Sequence, residues 1–209
     1  MSVLDNINQS LQNGKQEEVV EGVNKALDEG ISAEKILNQA LLKGMGVVSE
    51  KFKNNDLFVP EVLVAANAMN KGMEIIKPQL VEEGVESSAK AIIGTVEGDL
   101  HDIGKNLVRM MLEGEGFEVT DLGKDVSAED FINAVKEEDP QIIGMSAMLT
   151  TTMDGMKEVV DALEENDLRE DVYIMVGGAP VTDDYAQEIG ADAYSADAGE
   201  AASMATAQV

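Results

Sequence analysis

From residue 91 onward, short apolar runs alternate with stretches of helical periodicity, and this alternation restricts the possible folds more than any other feature. Five apolar runs lie at 91–96, 117–122, 142–146, 173–176 and 193–194, and helical patterns at 105–114, 127–138, 153–165 and 182–189 separate them. Parallel strands need a crossover of about a dozen residues, which a helix provides. The pattern therefore predicts an α/β, doubly wound, Rossmann-like (flavodoxin-like) domain with a five-stranded parallel sheet.

The first 82 residues have helical periodicity and no strand-like alternation. We expect Gly14 and Gly30 at helix C-termini, Ser32 at an N-cap, and a last helix that begins near Pro60 and ends at Pro78. Three apolar stripes indicate the buried faces: Leu4, Ile7 and Leu11; Val19, Val20, Val23 and Leu27; Ile36, Leu37, Ala40, Leu41, Met45 and Val48. The pattern predicts an N-terminal all-α helical bundle of four or five helices.

Between the two halves, residues 80–90 are polar and lack a periodic apolar face. We expect a helical cap domain over residues 1–82, a linker over 83–90 and the doubly wound domain over 91–209. A polar linker of this kind would let the cap move, so we also expect it to serve as a hinge.

Charge and composition exclude several classes of function. The chain has 15 basic and 41 acidic residues, a formal net charge of −26, which repels phosphate backbones and anionic lipids, so neither nucleic acid nor a membrane is an expected partner. Cysteine is absent and His101 is the single histidine, which leaves no thiolate or multi-imidazole metal site within one chain. Neither a signal peptide nor a long apolar span is apparent, so a cytoplasmic location is expected. The acidic excess would also suit a salt-rich cytoplasm.

Ligands of parallel sheets bind beyond the carboxyl ends of the strands, and three of the predicted loops there carry polar or glycine residues. In the first, Asp99 can accept the Nδ1 proton of His101 and leave Nε2 for a metal or a proton. The second is the hydroxyl-rich run 146–152, and the third is Gly177-Gly178, which allows a close backbone approach. A structural Asp–His bond, a helix cap and a tight turn are the alternatives for the three loops.

Together, the three loops resemble the motifs of a cobalamin-binding family. In that family the cofactor's dimethylbenzimidazole base is detached, a histidine replaces it as the lower ligand of cobalt, and the nucleotide tail enters a slot lined by a serine and glycines. Met148 stands where the family has leucine, which is similar in size and polarity. The matching motifs are Asp99-x-His101-x-x-Gly104, Ser146-x-Met148 and Gly177-Gly178.

The resemblance implies a role for each matched residue. His101 would ligate cobalt of a base-off, His-on cobalamin or related corrinoid, Asp99 would hydrogen-bond to it, and Thr152, in place of the family's serine, would complete a proton relay. A proton that moves through this relay could balance the forming and breaking of the His–cobalt bond. The further cofactor-binding positions that it implies are Gly98, Asp102, Ile103, Gly104, Ser146, Met148, Thr150, Gly177, Gly178 and Ala198.

The resemblance continues into the helical half, which is similar to the cap domain of methionine synthase and of the small corrinoid proteins of methyltransferase systems. Asn38 lies where methionine synthase has a glutamate that contacts the cofactor, so the chain departs from the family at that contact. The residues that would cover the upper, methyl-bearing face of the corrin are Phe52, Phe58, Val59 and Val62. Ordinary core packing is the alternative for these four residues.

The function implied by the resemblance is that of a methyl carrier in the methylcobalamin form, which is a shuttle rather than a complete enzyme. A substrate-specific methyltransferase would load a methyl group from a methylamine, quaternary amine, methanol or methoxy compound. A second methyltransferase would pass it to tetrahydrofolate or a thiol, and a reductive activation protein would restore the cobalt.

Three alternatives remain. The small subunit of a cobalamin-dependent mutase shares the motifs but usually lacks a helical cap, and a cobalamin-dependent sensor normally adds a DNA-binding or signalling module. A cofactor-free domain akin to a phosphorylation receiver would have an acidic cluster after the first strand, where this chain has His101.

Overall fold

The computed structural model describes residues 2–83 and 89–209. These residues form two compact units. The first contains the described residues up to Glu83 together with Gly114–Gly116, and the second contains 89–113 and 117–209. Within the described ranges, no helix combines the length and the apolar composition that crossing a membrane requires.

The first unit is helical, as its periodicity predicts. Its helices are α1 (Val3–Gln12), α2 (Gln16–Asp28), α3 (Ala33–Ile36), α4 (Lys43–Lys53) and α5 (Val59–Glu83), with a π-helical segment at Leu37–Leu42 between α3 and α4. The residues of the predicted apolar stripes that are buried include Ile7, Leu11, Val19, Val23, Ile36, Ala40, Leu41, Met45 and Val48. The hydrophobic effect on these faces packs the helices together.

The predicted helix-end signals at Gly14, Gly30 and Ser32 are confirmed. Gly14 and Gly30 follow α1 and α2 with φ values of +65° and +79°, a conformation that glycine adopts without a steric penalty. The Ser32 hydroxyl accepts a hydrogen bond from the Lys35 backbone N–H at 3.3 Å and caps α3.

The prediction that Pro78 ends the last helix is wrong. Helix α5 runs through Pro78 and ends at Glu83, although proline has no N–H and its ring crowds the preceding turn. Ile76 and Leu80 are both buried on either side of Pro78, so apolar packing maintains the helix across the proline.

The amino-terminal bound of the predicted linker differs from the structure by one residue. Its first residue, Glu83, belongs to α5, and its carboxylate accepts the backbone N–H groups of Ala33 and Glu34 at 2.9 and 3.0 Å. Glu83 thereby joins Ser32 in capping α3. Residues 84–88 of the predicted linker lie outside the described residues.

The second unit is the predicted doubly wound α/β fold. Its strands β1 (Lys90–Val96), β2 (Glu118–Val126), β3 (Ile142–Ser146), β4 (Tyr173–Gly177) and β5 (Ala193–Tyr194) form one parallel sheet in the order β2-β1-β3-β4-β5. Its helices are α6 (Ile103–Gly114), α7 (Ala128–Glu138), α8 (Asp154–Glu165), α9 (Asp183–Glu188) and α10 (Ala198–Thr206). β2 extends four residues beyond the predicted run and changes register with β1 near Gly123.

The strand order places β1 and β3 on either side of the topological switch point of the sheet. The chain moves from β1 to β2 on one side and then crosses to β3 on the other, so the topological switch point lies between the carboxyl ends of β1 and β3. At this edge Thr95, Ser146 and Gly177 are neighbours in register across three strands. The fold therefore directs the loops after β1, β3 and β4 to one place.

Candidate functional site

His101 lies on the loop between β1 and α6, at the switch point of the sheet. Its Nδ1 lies 2.7 Å from Oδ1 of Asp99, and its side chain is 56% exposed. Among the described residues, no hydrogen-bond partner reaches Nε2. Since the carboxylate accepts the proton of Nδ1, the tautomer is fixed and the Nε2 lone pair is available to an external ligand.

Asp99 is fully buried and is surrounded by hydrogen-bond donors. Oδ1 accepts the His101 backbone N–H at 3.0 Å in addition to the imidazole, and Oδ2 accepts the Met148 N–H at 2.7 Å. The Thr152 hydroxyl donates to Oδ2 at 2.8 Å. Burial raises the pKa of Asp99, but these donors outweigh burial and hold the pKa well below its usual range. The carboxylate is therefore ionised beside the imidazole.

Thr152 connects Asp99 to the loop after β3. Its hydroxyl lies 2.8 Å from Asp99 Oδ2 and 2.9 Å from the Leu149 carbonyl oxygen, and the residue is buried. A hydroxyl has one proton, so donation to the carboxylate and donation to the carbonyl are exclusive alternatives. The structure thus brings together the sequence-predicted residues His101, Asp99 and Thr152 as one chain of hydrogen bonds.

The predicted slot residues lie at the carboxyl ends of β3 and β4. Ser146 is half-buried and pairs in register with Gly177, while Thr150 is exposed on the following loop. A Cβ on Gly178 would lie 1.9 Å from the Ala147 carbonyl oxygen, and Gly178 has a φ of +126°. Only glycine allows these two segments of the chain to approach so closely at this position.

Ala198 lies apart in the sequence, at the start of α10 after the Asp197 cap. The Asp197 side chain accepts the backbone N–H of Glu200 at 2.8 Å, and Ala198 itself is buried. Helix α10 was not among the helices predicted from the sequence. The sequence of α10 is rich in alanine and glycine and has no clear apolar face, so apolar periodicity did not predict this helix.

Large apolar side chains are exposed on the segment that carries the Asp–His pair and on the loop after β3. Ile103 is 82% exposed, and a Cβ on the neighbouring Gly104 would meet nothing within 4 Å. Exposed apolar clusters of this kind are typical of ligand or partner sites. The other predicted positions on these loops are Gly98, which is exposed, and Asp102, which is half-buried. The exposed large apolar residues are Leu100, Ile103, Met148 and Leu149.

The predicted cap residues of the first unit differ in exposure. Phe58 is 67% exposed at the start of α5, Val59 is also exposed, Phe52 is half-buried and Val62 is fully buried. Asn38 is exposed and lies within the π-helical segment, a feature that often marks functional sites. No sequence signal had indicated that segment.

Two residues that support the site were missed by sequence reasoning. The Thr95 hydroxyl donates to the His101 carbonyl oxygen at 2.9 Å. Asp125, at the end of β2, contacts the loop of Asp99 through its backbone and its side chain. Thr95 is the one hydroxyl residue in the apolar run 91–96, and this feature could have identified it as a functional candidate. Nothing in the sequence around Asp125 indicates its contact with the loop.

Comparison with known families decides the membership of the chain. Residues 89–207 match one B12 binding domain family, and residues 3–77 match a second B12 binding domain family. The chain belongs to the B12-binding family. Its resemblance to the cobalamin-binding proteins, inferred from the motifs, is thereby confirmed.

Curated members of this family are similar to the chain over nearly its whole length. A corrinoid protein of Desulfitobacterium hafniense is 40% identical over 208 residues, which cover 98% of this chain and 96% of the relative. A dimethylamine corrinoid protein of Methanosarcina acetivorans is 45% identical over 192 residues, covering 91% of this chain and 89% of the relative. The trimethylamine corrinoid protein of Methanosarcina barkeri is 45% identical over 193 residues, with coverages of 90% and 86%.

Solved structures of B12-binding proteins have the same fold. The methanol:cobalamin methyltransferase complex of Methanosarcina barkeri contains a chain that matches with a TM-score of 0.90 and 34% identity, covering 98% of this chain and 78% of that one. A cobalamin-binding protein of Desulfitobacterium hafniense matches with a TM-score of 0.80 and 35% identity, with coverages of 99% and 98%.

The geometry of the second unit fits a corrinoid, the cofactor class of this family. A corrinoid ligated by a protein side chain would require an accessible nitrogen for its metal, apolar surface for its macrocycle and a narrow passage for its tail. His101 has an accessible ring nitrogen, Ile103 and Met148 present exposed apolar surface, and Gly178 lies where two segments of the chain approach closely.

Proposed function

We propose that this protein carries a methyl group on the cobalt of a corrinoid held base-off and His-on. The observation that carries the proposal is the accessible Nε2 of His101, with Nδ1 fixed by the buried carboxylate of Asp99 at 2.7 Å. When bound, the corrinoid supplies a cobalt that accepts a methyl group and gives it up again.

In this proposal, His101 is the cobalt ligand and Asp99 is its positioning and charge-balancing partner. When Nε2 binds the metal, Nδ1 keeps its proton on the hydrogen bond to Asp99 Oδ1. Without a metal on Nε2, that nitrogen would be free to hold a proton, while the ionised carboxylate of Asp99 would keep its hydrogen bond to Nδ1. Thr152 supports this exchange because its hydroxyl can turn between Asp99 and the Leu149 carbonyl oxygen.

The remaining predicted residues would hold the cofactor. Gly98, Asp102, Ile103 and Gly104 would lie against its lower face, beside Met148. Phe52, Phe58, Val59 and Val62 are proposed to cover the upper face. The tail would follow the glycine-lined approach at β3 and β4, where the proposed contacts are Ser146, Thr150, Thr152, Gly177, Gly178 and Ala198.

We propose that two methyltransferases alternate on this carrier. One loads the methyl group from a small methylated compound, the second removes it to tetrahydrofolate or a thiol, and a reductive activation protein restores the cobalt. The relatives known as dimethylamine and trimethylamine corrinoid proteins support a methylamine as the donor. The match of residues 3–77 to a B12 binding domain supports a carrier with a cap rather than a mutase subunit.

The test is reconstitution of the protein and of His101→Ala with hydroxocobalamin, followed by desalting, cobalt analysis and a visible spectrum. We expect stoichiometric cobalt in the wild type and a different spectrum in His101→Ala, because the lower ligand is lost. Identical spectra would contradict the His-on state, and no cobalt in the wild type would contradict the function.

A second assay tests methyl transfer. The reconstituted protein, charged with a radiolabelled methyl group, is mixed with a thiol-specific or a tetrahydrofolate-specific corrinoid methyltransferase. Label should appear in the thiol or in methyltetrahydrofolate, and the uncharged protein serves as the control. Label that stays on the protein with both partners would argue against the carrier role.

A further inference from the structure

We propose that Thr95 and Asp125 are positioning residues that fix the backbone of the His101 loop from two neighbouring strands, and so determine where Nε2 meets cobalt. This inference rests on the proposed function, because it concerns how His101 is presented to the cofactor. It adds two residues outside the Asp99–Thr152 chain of hydrogen bonds. Neither residue belongs to the motifs that carry the family resemblance.

Thr95 holds the carboxyl-terminal side of the loop. It is fully buried near the end of β1, in register with Ser146 of β3, and its hydroxyl donates to the His101 carbonyl oxygen at 2.9 Å. β1 is an interior strand of the sheet, hydrogen-bonded to β2 on one side and to β3 on the other, so its backbone is strongly constrained. A hydroxyl anchored there limits the movement of the His101 backbone.

Asp125 holds the amino-terminal side of the loop. Its backbone N–H donates to the Asp99 carbonyl oxygen at 3.0 Å, and its Oδ1 accepts the Gly98 N–H at 2.7 Å. Asp125 has a φ of +58°, which aspartate and asparagine tolerate better than most residues. The extension of β2 beyond the predicted run, with its change of register, brings Asp125 to the loop.

These contacts differ from the Asp99 contact in what they control. Asp99 binds the imidazole and sets its tautomer, whereas Thr95 and Asp125 bind only backbone atoms on either side of it. A loop that is ordered before the ligand arrives does not lose conformational entropy when the metal bond forms. Loss of either contact should therefore weaken the His–cobalt bond without removing a group that touches the cofactor.

The test uses two matched pairs of variants. Thr95→Val removes the hydroxyl and keeps the branched shape, while Thr95→Ser keeps the hydroxyl. Asp125→Gly removes the acceptor and accepts the positive φ, while Asp125→Asn keeps an acceptor and also tolerates that φ. In each pair, one variant loses the side-chain contact to the loop and the other retains it, while the backbone hydrogen bond of residue 125 to the Asp99 carbonyl oxygen is kept in both Asp125 variants.

The first readout is backbone amide hydrogen exchange in the cofactor-free protein. We expect exchange at His101 and Met148, whose N–H groups both bind Asp99, to become about fivefold to tenfold faster in Thr95→Val and Asp125→Gly, the loss expected for one hydrogen bond. Thr95→Ser and Asp125→Asn should exchange like the wild type. Uniformly faster exchange throughout the second unit would indicate only a general loss of stability and would overturn the positioning role.

The second readout is the electron paramagnetic resonance spectrum of the cobalt(II) form, in which an axial nitrogen splits the cobalt lines. At equal cobalt content, the split fraction should fall in Thr95→Val and Asp125→Gly and be retained in the two conservative variants. Equal splitting in all five proteins would overturn the inference and leave the proposed function intact. No splitting in the wild type would instead count against the proposed function itself.

Discussion

At the scale of single residues, the buried carboxylate of Asp99 organises the site. Four donors from three residues converge on its two oxygens, and the position has no exposed surface. An ionised carboxylate in such a place is favourable only while those donors are present, because an isolated buried charge is strongly disfavoured. The stability of the second unit should therefore depend on the protonation of this one group.

Asp99→Asn tests that dependence. The pKa of Asp99 is lower in the folded protein than in the unfolded chain, where it is about 4. The ionised carboxylate therefore stabilises the fold at neutral pH, and this stabilisation is lost progressively as the pH falls below about 4. We expect Asp99→Asn to be less stable than the wild type by about 1–3 kcal/mol at pH 7, because the amide leaves a donor without an acceptor. The difference in unfolding free energy, measured with urea and circular dichroism, should shrink between pH 5 and 3. A constant difference would contradict the lowered pKa.

Gly178 and Gly104 both belong to the motifs of the family resemblance, but the space around a side chain differs between the two positions. At Gly178 a Cβ would lie 1.9 Å from a backbone oxygen at a positive φ, so we expect Gly178→Ala to lower the stability of the cofactor-free protein by about 2–4 kcal/mol. At Gly104 the space is open, and alanine should be neutral or stabilising by up to about 1 kcal/mol.

Cofactor retention then separates folding from binding. The proposed function places Gly104 against the corrinoid, so Gly104→Ala should keep its melting temperature and retain less cobalt after desalting. A lower melting temperature for Gly104→Ala would contradict the open space in the structure. Full cobalt retention would remove Gly104 from the proposed contacts.

The residues of the site that could be predicted are those close together in sequence or placed at strand ends. Asp99 and His101 are two residues apart, and Thr152 follows a strand whose end was marked by its apolar run. Asp125 reaches Gly98 from 27 positions away, through an extension of β2 that its polar sequence did not indicate. Such long-range contacts depend on the register of the strands, which apolar periodicity does not specify at a polar edge.

At the scale of elements, Glu83 links the end of α5 to the start of α3. The carboxylate accepts two of the N–H groups that a helix start leaves unpaired, and its charge suits the positive end of the helix dipole. α3 has only four α-helical residues before the π-helical segment, so it depends on its caps more than a long helix does.

Glu83→Ala should therefore lower the stability of the first unit by about 1 kcal/mol, and Glu83→Gln should cost less because it keeps an acceptor. Glu82→Ala, at the exposed neighbouring position, is the control for a lost charge. Thermal unfolding followed by circular dichroism at 222 nm gives the comparison. Equal midpoints for Glu82→Ala and Glu83→Ala would show that the cap contributes nothing.

The elements themselves were predicted to different degrees. All five strands were located from their apolar runs, and β1 and β3 show the continuous runs that are typical of buried parallel strands. The continuation of α5 through Pro78 was not predicted, since the local cost of proline favours a helix end and only the burial of Ile76 and Leu80 outweighs it. Tertiary packing, which the local sequence does not display, determined that boundary.

At the scale of the whole molecule, the large negative net charge is expected to affect the stability of the folded state. The chain has 41 acidic and 15 basic residues, and its ion pairs at the surface, such as Lys15–Glu18 and Lys157–Asp161, join neighbours within one helix turn or adjoining segments. Surface ion pairs of this kind contribute little to the stability of the fold. Most of the excess negative charges therefore repel one another in the folded state. Screening by salt reduces this repulsion over distances beyond the Debye length, about 10 Å at 0.1 M.

The melting temperature should consequently rise with sodium chloride between about 0.01 and 0.5 M. A gain of about 1 kcal/mol would raise it by about 2–4 °C for a chain of this size. The matched control replaces four exposed carboxylates from both units by glutamine: Glu21, Glu137, Glu165 and Glu170. With four fewer negative charges, this variant should start from a higher melting temperature at low salt and gain less from added salt. If both proteins respond to salt equally, screening of the net charge is not the cause, because general effects of salt on apolar surface act on both alike.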